Sequence, residues 1–310
     1  MRASLAIADR DAASGAAWLR DVLRGGSGGA QNSPWLIVPA VLFLLGIFAI
    51  PLLRMIELSL FDPGFTLKHY AEFLSLPAYS RITLNTVELA FNVAVICLVL
   101  GYPVAYAINS TSPRIRRLFL VPIMLPYLTS LMVRTYAWMV VLERQGLVNQ
   151  FLGVFGLGPF KLLHNTFGVY VGMVHVLLPL MILPILNAMT NIDMRVVRAA
   201  ESLGATPLQG FFRVFLPLSL PGVIAGSCLV FIIALGYFVT PALLGGLANT
   251  TVSMLIQDQV GVQLNWQFAS ALGAVLLLAT VVTLAAAMLL LRIAGRALGI
   301  GRVRLLGMNA

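Results

Sequence analysis

Six stretches of this chain are apolar almost without interruption, and each is long enough to cross about 30 Å of hydrocarbon as a helix. They cover residues 35–53, 85–108, 118–142, 167–189, 220–244 and 268–291. Arg134 interrupts the third, and Pro179 and Pro184 lie inside the fourth. A spanning helix keeps such prolines where neighbours or water take up the freed carbonyls. Between the fourth and fifth runs the pattern changes. Residues 197–221, VRAAESLGATPLQGFFRVFLPLSLP, open with a polar, helix-forming block.

That block predicts two short helices around a sharp turn. Asp193 is placed to cap the first helix, and Gly204 stands where a chain turns left-handed at a helix end. Thr206 and Gln209 have the spacing of a capping box, with Pro207 at the tolerated first helical position. Ala199 and Ala200 leave a thin ridge able to enter a groove on another protein. Leu216, Pro217 and Pro221 are expected to end the insert and start the next apolar helix.

Composition agrees with a lipid solvent. Of 310 residues, 60% are apolar and 10% charged, against roughly 25% charged in a soluble domain. Mean hydropathy is +0.95. The expected fold is an all-α integral membrane domain of six helices over residues 35–292, with the polar loop at 190–219. Residues 1–34 and 293–310 read as tails. Trp18, Leu19, Val22 and Leu23 make either one face of an interfacial helix or part of a disordered tail hinged at GGSGG.

Most of the 20 basic residues fall in the N-terminal tail, the 109–117 loop, the polar insert and the C-terminal end. By the positive-inside rule these segments and both termini are cytoplasmic. The net charge of +9 is thereby a matter of topology, and nucleic acid is not an expected partner. Cys97 and Cys228 sit in apolar runs and read as packing residues. His69, His164 and His175 have no metal-ligand spacing, so no metal is expected. His69 and His164 are expected in outer loops, and His175 in an interhelical hydrogen bond.

Ionisable groups inside a span are costly and usually face a cavity or a partner. Glu88 lies on one helical face with Asn85 and Asn92, and Arg134 precedes Tyr136 and Trp138 on the third run. Two readings stand open: an Arg134–Glu88 bond joining two helices, or a solute path in which Glu88 attracts a cation and aromatic rings contact its methylenes. Tyr237 is a further candidate for such a path. Asp258 is either a solvated loop acid or a second acid near the outer mouth. Gly222 and Gly226 make a small-residue face for close helix contact. Gly236 and the Thr240, Pro241, Ala242 segment could bend the fifth span.

The polar insert resembles the cytoplasmic coupling loop of ABC-importer permeases, whose pattern is Glu-Ala-Ala, three residues, Gly, nine residues, Ile, one residue, Leu-Pro. Ala199, Ala200, Gly204, Val214, Leu216 and Pro217 match it at the right spacing. Arg198 stands where the family has Glu, and an acid follows at Glu201 instead. Further likeness is to the spermidine/putrescine-type importers. It is carried by Arg81 with Ile82, Asn85 with Thr86, GYPVAY at 101–106, LMVRTYAW at 131–138, residues 179–184, FVTP at 238–241 and LGG at 244–246.

The resemblance implies a type I importer permease in a bacterial inner membrane, with a coupling helix between helices 4 and 5. Implied partners are a second homologous permease, an ATP-binding cassette ATPase dimer and a periplasmic solute-binding protein. The implied solute is a polyamine, with opines, phosphonates or other amines as alternatives. ATP and its magnesium would sit on the partner, because the two lysines, Lys68 before His69 and Lys161 before Leu162, are not in a Gly-Lys-Ser/Thr phosphate loop. The chain itself is read as binding no cofactor and catalysing no reaction. An ion-coupled secondary transporter is the rival class. A membrane enzyme is disfavoured by the absence of a clustered His/Asp pattern.

Overall fold

A computed structural model describes residues 38–62 and 64–297. The expectations for the 1–34 tail, for residues 35–37 and for the chain beyond Ala297 lie outside the described residues. By internal contacts the chain divides into two units, Met1–Arg54 and Met55–Ala310. The first unit supplies the opening of helix α1 (Val38–Leu60). The second holds the remaining elements.

Its elements are α2 (Lys68–Ser75), α3 (Pro77–Asn109), α4 (Pro113–Leu128), α5 (Leu131–Leu142) and α6 (Leu147–Val154). Next come α7 (Thr166–Thr190), α8 (Met194–Ser202), α9 (Pro207–Gly210), a π-turn (Phe211–Phe215) and α10 (Leu216–Leu235). The described residues end with α11 (Val239–Leu244), a 3₁₀ turn (Leu247–Asn249), α12 (Val252–Gly261) and α13 (Trp266–Ala297). Counting α1, five helices among the described residues are long and apolar enough to cross a membrane, and there are six if the bent α4 to α6 pair is one span.

Helix α7 is the most buried of these spans, and α3 and α10 pack on it and on each other. Small residues allow the close approach. A Cβ on Gly222 would lie 2.5 Å from the Ala188 Cβ and 2.6 Å from the Pro184 carbonyl oxygen. One on Gly226 would lie 3.1 Å from the Met181 carbonyl oxygen. The small-residue face predicted on the fifth span is therefore where α10 meets α7. Val93, Cys97, Met173, Met181, Ile185, Val230 and Leu235 fill the space between the three helices. A second cluster joins Phe73, Val252, Phe268 and Leu272.

Two spans differ from their predicted form. The third is not one straight helix: it breaks by 97° between Leu128 and Leu131. Pro122 and Pro126 within α4 remove two backbone donors, and Thr129 and Ser130 are extended, with ψ of 148° and 138°. The Thr129 hydroxyl donates to the Pro126 carbonyl at 2.9 Å, and Arg134 Nη2 donates to the Thr129 carbonyl at 2.8 Å. The fifth span stops at Leu235 and resumes as α11 from Val239, so the expected interruption near Gly236 is present.

The helix leading into that fifth span does not begin afresh at Leu216 and Pro217. It is continuous over Pro207–Leu235, because the π-turn widens the backbone just before Pro217. Proline cannot bond to the carbonyl a turn back, and the wider turn accommodates its ring. His69 also departs from expectation. It lies within α2 and is buried, 3.4 Å from Asp62.

Candidate functional site

The polar insert folds as its local chemistry dictates. The Asp193 carboxylate accepts from the Arg195 backbone N–H at 2.9 Å and starts α8. At the other end Gly204 has φ +93°, its N–H bonds to Glu201 at 2.9 Å, and Ala205 N–H bonds to Ala200 at 3.1 Å. This is the paired-bond ending that glycine permits in the left-handed region. Thr206 and Gln209 then cap each other reciprocally: Gln209 N–H donates to Thr206 Oγ1 at 3.3 Å, and Thr206 N–H donates to Gln209 Oε1 at 3.0 Å. Pro207 is at the first helical position.

This elbow has an exposed tip and an anchored root. Arg198, Ala199, Glu201 and Gly204 are exposed and Ala200 is half-buried. Leu203, 89% exposed, projects from the turn. The opposite face of α8 carries buried Val197, which lies 3.7 Å from where a Cβ on Gly210 would stand. Val214, Leu216 and Pro217 are only partly exposed and belong to the root. The matched residues thus split into an exposed tip and a partly buried base. Sequence reasoning missed Leu203, although an unpaired leucine in a polar turn was a visible signal.

At the root, rings from two helices interlock. Phe211 and Phe215 stack, with centroids 5.9 Å apart, and Tyr106 of α3 meets both edge-on, at 5.3 and 5.4 Å. Tyr102 also approaches Phe211, at 6.3 Å, and its hydroxyl lies 3.0 Å from Ser219 Oγ. Ser219 donates to the Leu216 carbonyl at 2.8 Å, so Tyr102 is the donor in the interhelical bond. The Phe211–Phe215 pair follows from helical spacing, but the contacts of Tyr102 and Tyr106 with it and with Ser219 do not follow from spacing along the chain.

The polar face of the second span opens onto a cavity of about 180 Å³ lined by Asn85, Glu88, Thr166, Tyr170, Asn249 and Thr251, among others. Asn92 is tied to it, donating from Nδ2 to the Tyr170 hydroxyl at 2.9 Å. Asn249 donates from Nδ2 to Thr166 Oγ1 at 2.9 Å, closing one wall. A cationic or hydrogen-bonding group is what such a lining can hold, since it offers one carboxylate and several amide and hydroxyl groups. Tyr170 and Asn249 were not among the predicted residues. Only the packing of α7 and the 3₁₀ turn against α3 brings them in.

Arg134 is elsewhere. Among the described residues it forms no ion pair with Glu88, so the first of the two open readings, an interhelical bond, is not met, and Arg134 bonds to Thr129 instead. Trp138, one turn along α5, meets His175 of α7 edge-on with centroids 5.4 Å apart. The buried Nδ1 of His175 has no hydrogen-bond partner among the described residues, so a ring contact stands where a bond was expected. Arg134 acts electrostatically on His175, Tyr127 and Tyr237, which places Tyr237 beside the broken third span. Tyr136 is not with them. Two residues from Arg134 it points to another face, 55% exposed, and lines a separate cavity with Glu143 and Gln150.

Asp258 is not in the Glu88 cavity. It lies on α12, where its Oδ2 accepts from Gln263 Nε2 at 2.9 Å and its carbonyl accepts from Val262 and Gln263 N–H. It finishes a helix end. Thr86, by contrast, joins the region from the second span: its Oγ1 accepts from Val252 N–H at 3.0 Å.

Comparison with known proteins places this architecture. Residues 97–298 match the family described as binding-protein-dependent transport system inner membrane component. The spermidine/putrescine transport system permease protein PotB of Haemophilus influenzae is 34% identical over 241 residues, covering 77% of this chain and 84% of that protein. PotB of Escherichia coli K12 is 32% identical over 239 residues, 76% of this chain and 86% of that one. Among solved structures, a chain of a bacterial ABC transporter importing the polysaccharide alginate superposes with a TM-score of 0.71 at 19% identity, over 88% of this chain and 96% of that one. A chain of the methionine transporter MetNI gives 0.52 at 18% identity, over 68% of this chain and 93% of that one. The fold is that of ABC-importer permeases, and the chain belongs to the family of binding-protein-dependent transport system inner membrane components.

Proposed function

We propose that this permease subunit carries a small polyamine of the spermidine/putrescine kind inward across a bacterial inner membrane, using ATP hydrolysed on a separate ATPase. The names of the PotB relatives support the solute. The polar cavity at Glu88 supports it chemically, because a lone carboxylate ringed by amides and hydroxyls suits an ammonium group. Asn85, Glu88, Asn92 and Tyr237 would line the path. Arg134 would hold the neighbouring break, Trp138 would contact His175 one turn along, and Tyr136 and Asp258 would stand outside the path.

One observation carries the coupling role. The Met194–Ser202 helix and its capped turn present an exposed ridge, while the same segment continues without a gap into α10 and the core. Arg198, Ala199, Ala200, Glu201 and Gly204 would touch the ATPase, and Val214, Leu216 and Pro217 would hold the ridge to the span. Closure of an ATPase dimer around its nucleotide would then displace α10, shifting the spans between inward- and outward-facing states. A second, homologous permease would complete the path, and a periplasmic binding protein would deliver solute. Both termini and the elbow would be cytoplasmic; ATP and magnesium would stay on the partner.

Two measurements test this. A thiol placed at Leu203 should be labelled by a membrane-impermeant reagent in inside-out vesicles and protected in right-side-out ones; the reverse result would defeat the coupling role. Proteoliposomes holding the whole complex should accumulate labelled putrescine or spermidine in preference to an opine or a phosphonate. Preference for either of the latter would leave the coupling role standing and replace the solute.

A further inference from the structure

We propose that Tyr106, Phe211 and Phe215, with the Tyr102–Ser219 bond, are transmission residues that carry movement of the elbow into α3 as well as α10. The inference rests on the coupling role proposed above and extends it to a helix that the elbow does not belong to. Its basis is the geometry at the root. The elbow runs directly into α10, so nothing further is needed to move that helix. Helix α3 is separated from the elbow by more than eighty residues of chain, yet its Tyr106 ring sits edge-on to both Phe211 and Phe215, at 5.3 and 5.4 Å.

Edge-to-face pairs at these distances are favourable and directional. Two of them on one ring, opposite a stacked pair, fix Tyr106 against the π-turn more firmly than a single apolar contact would. The Tyr102 hydroxyl, one turn earlier on α3, adds a bond to fully buried Ser219 just beyond the π-turn. Two points of attachment on each side make a clasp that resists both sliding and rotation.

The π-turn is the other half of the device. Single π-turns within α-helices are uncommon and recur at functional positions. Here the turn occupies Phe211–Phe215, and these are the residues that bear the rings. A change of winding would swing Phe211 and Phe215 relative to α10 and pull or release Tyr106. Glu88 lies eighteen residues before Tyr106 on α3, about 27 Å away at 1.5 Å per residue. The clasp thus links the proposed ATPase contact to the cavity proposed to receive solute, without passing through α7.

The test uses the assembled transporter in proteoliposomes: this chain, its partner permease, the ATPase and the solute-loaded binding protein. Tyr106→Leu and Phe211→Leu keep apolar bulk and remove the ring geometry, whereas Tyr106→Phe keeps the ring. Solute taken up per ATP hydrolysed should fall about tenfold in both leucine variants, within the usual range of coupling between sites, and stay at the wild-type value in Tyr106→Phe. Unchanged uptake per ATP in both leucine variants would overturn the clasp.

A second measurement needs no variant and decides the matter if the leucine chains fail to assemble. Amide exchange in the wild-type complex should change on ATP binding at 101–109 of α3 together with 211–215. A response at 211–215 with none at 101–109 would also overturn the clasp. If no ATPase co-purifies with the wild-type chain, the coupling role itself falls and takes this inference with it, a result distinct from either of the others.

Discussion

Arg134 Nη2 bonds to the carbonyl of Thr129 at 2.8 Å, spanning the point where the third span turns by 97°. A basic residue in a run of apolar ones is thereby explained from within the break. At the end of α4 the backbone leaves carbonyls without intrahelical donors. The guanidinium supplies a donor from five residues along. Removing it by Arg134→Gln should cost about 0.5–1.5 kcal/mol, the net worth of one such hydrogen bond. Thermal unfolding in detergent should register this as a lower midpoint. Arg134→Lys should fall between, since an ammonium can donate but lacks the planar fork. An unchanged midpoint in both variants would show that the break holds by packing alone.

Gly204 tests the elbow by a different route. A Cβ there would meet nothing within 4 Å, yet φ is +93°. Space is therefore free and the obstacle is conformational, of order 1–3 kcal/mol for a residue held in so sparse a region. Gly204→Val should distort the turn between α8 and α9 while leaving the spans inserted. Membrane yield should match wild type, and uptake should drop with loss of binding-protein-stimulated ATP hydrolysis. Normal uptake by Gly204→Val would argue that the turn has no mechanical duty.

How far the sequence revealed this protein depends on the distance over which each feature is decided. The elbow was legible because capping is settled within four residues: Asp193, Gly204, Thr206, Pro207 and Gln209 all occupy the positions their chemistry favours. The Asn85, Glu88 and Asn92 stripe was legible from helical spacing. Its opposite wall was not, since Tyr170 and Asn249 are brought there only by packing between helices far apart in the chain. The break at Thr129 lay hidden inside an apolar run, where the two prolines hinted at weakness but the compensating Arg134 bond required tertiary geometry. The π-turn was hidden for the same reason. His69 looked like a loop residue beside Lys68, and its burial depends on Phe268, nearly two hundred residues later, whose ring centroid is 6.4 Å away.

The Glu88 cavity yields a charge prediction. Glu88→Gln keeps the shape of the side chain and removes its charge. If the cavity receives an ammonium group, the half-saturating solute concentration should rise about tenfold, equivalent to about 1.4 kcal/mol. Maximal transport should change less, because the elbow and ATPase contact are untouched. Transport assays across a solute series separate the two parameters. A fall in maximal rate at constant half-saturation would assign Glu88 to the helix movement rather than to the solute.

The α7–α10 contact supplies a paired control on packing. At Gly222 even a methyl group would stand 2.5 Å from Ala188 Cβ and 2.6 Å from the Pro184 carbonyl oxygen. Backbone is among the obstacles, so the helices themselves must separate. Overpacking of this kind costs about 1–3 kcal/mol, and Gly222→Ala should lower the unfolding midpoint and increase protease sensitivity. Gly153, near the end of α6, has nothing within 4 Å of its virtual Cβ and no positive φ. Gly153→Ala should be neutral or gain up to about 1 kcal/mol from the lower entropy of the unfolded chain. The two substitutions add the same methyl group in the same background. If they shift the midpoint equally, the close approach of α7 and α10 is not what stabilises the bundle, and the three-helix core described above would have to be held by the large side chains instead.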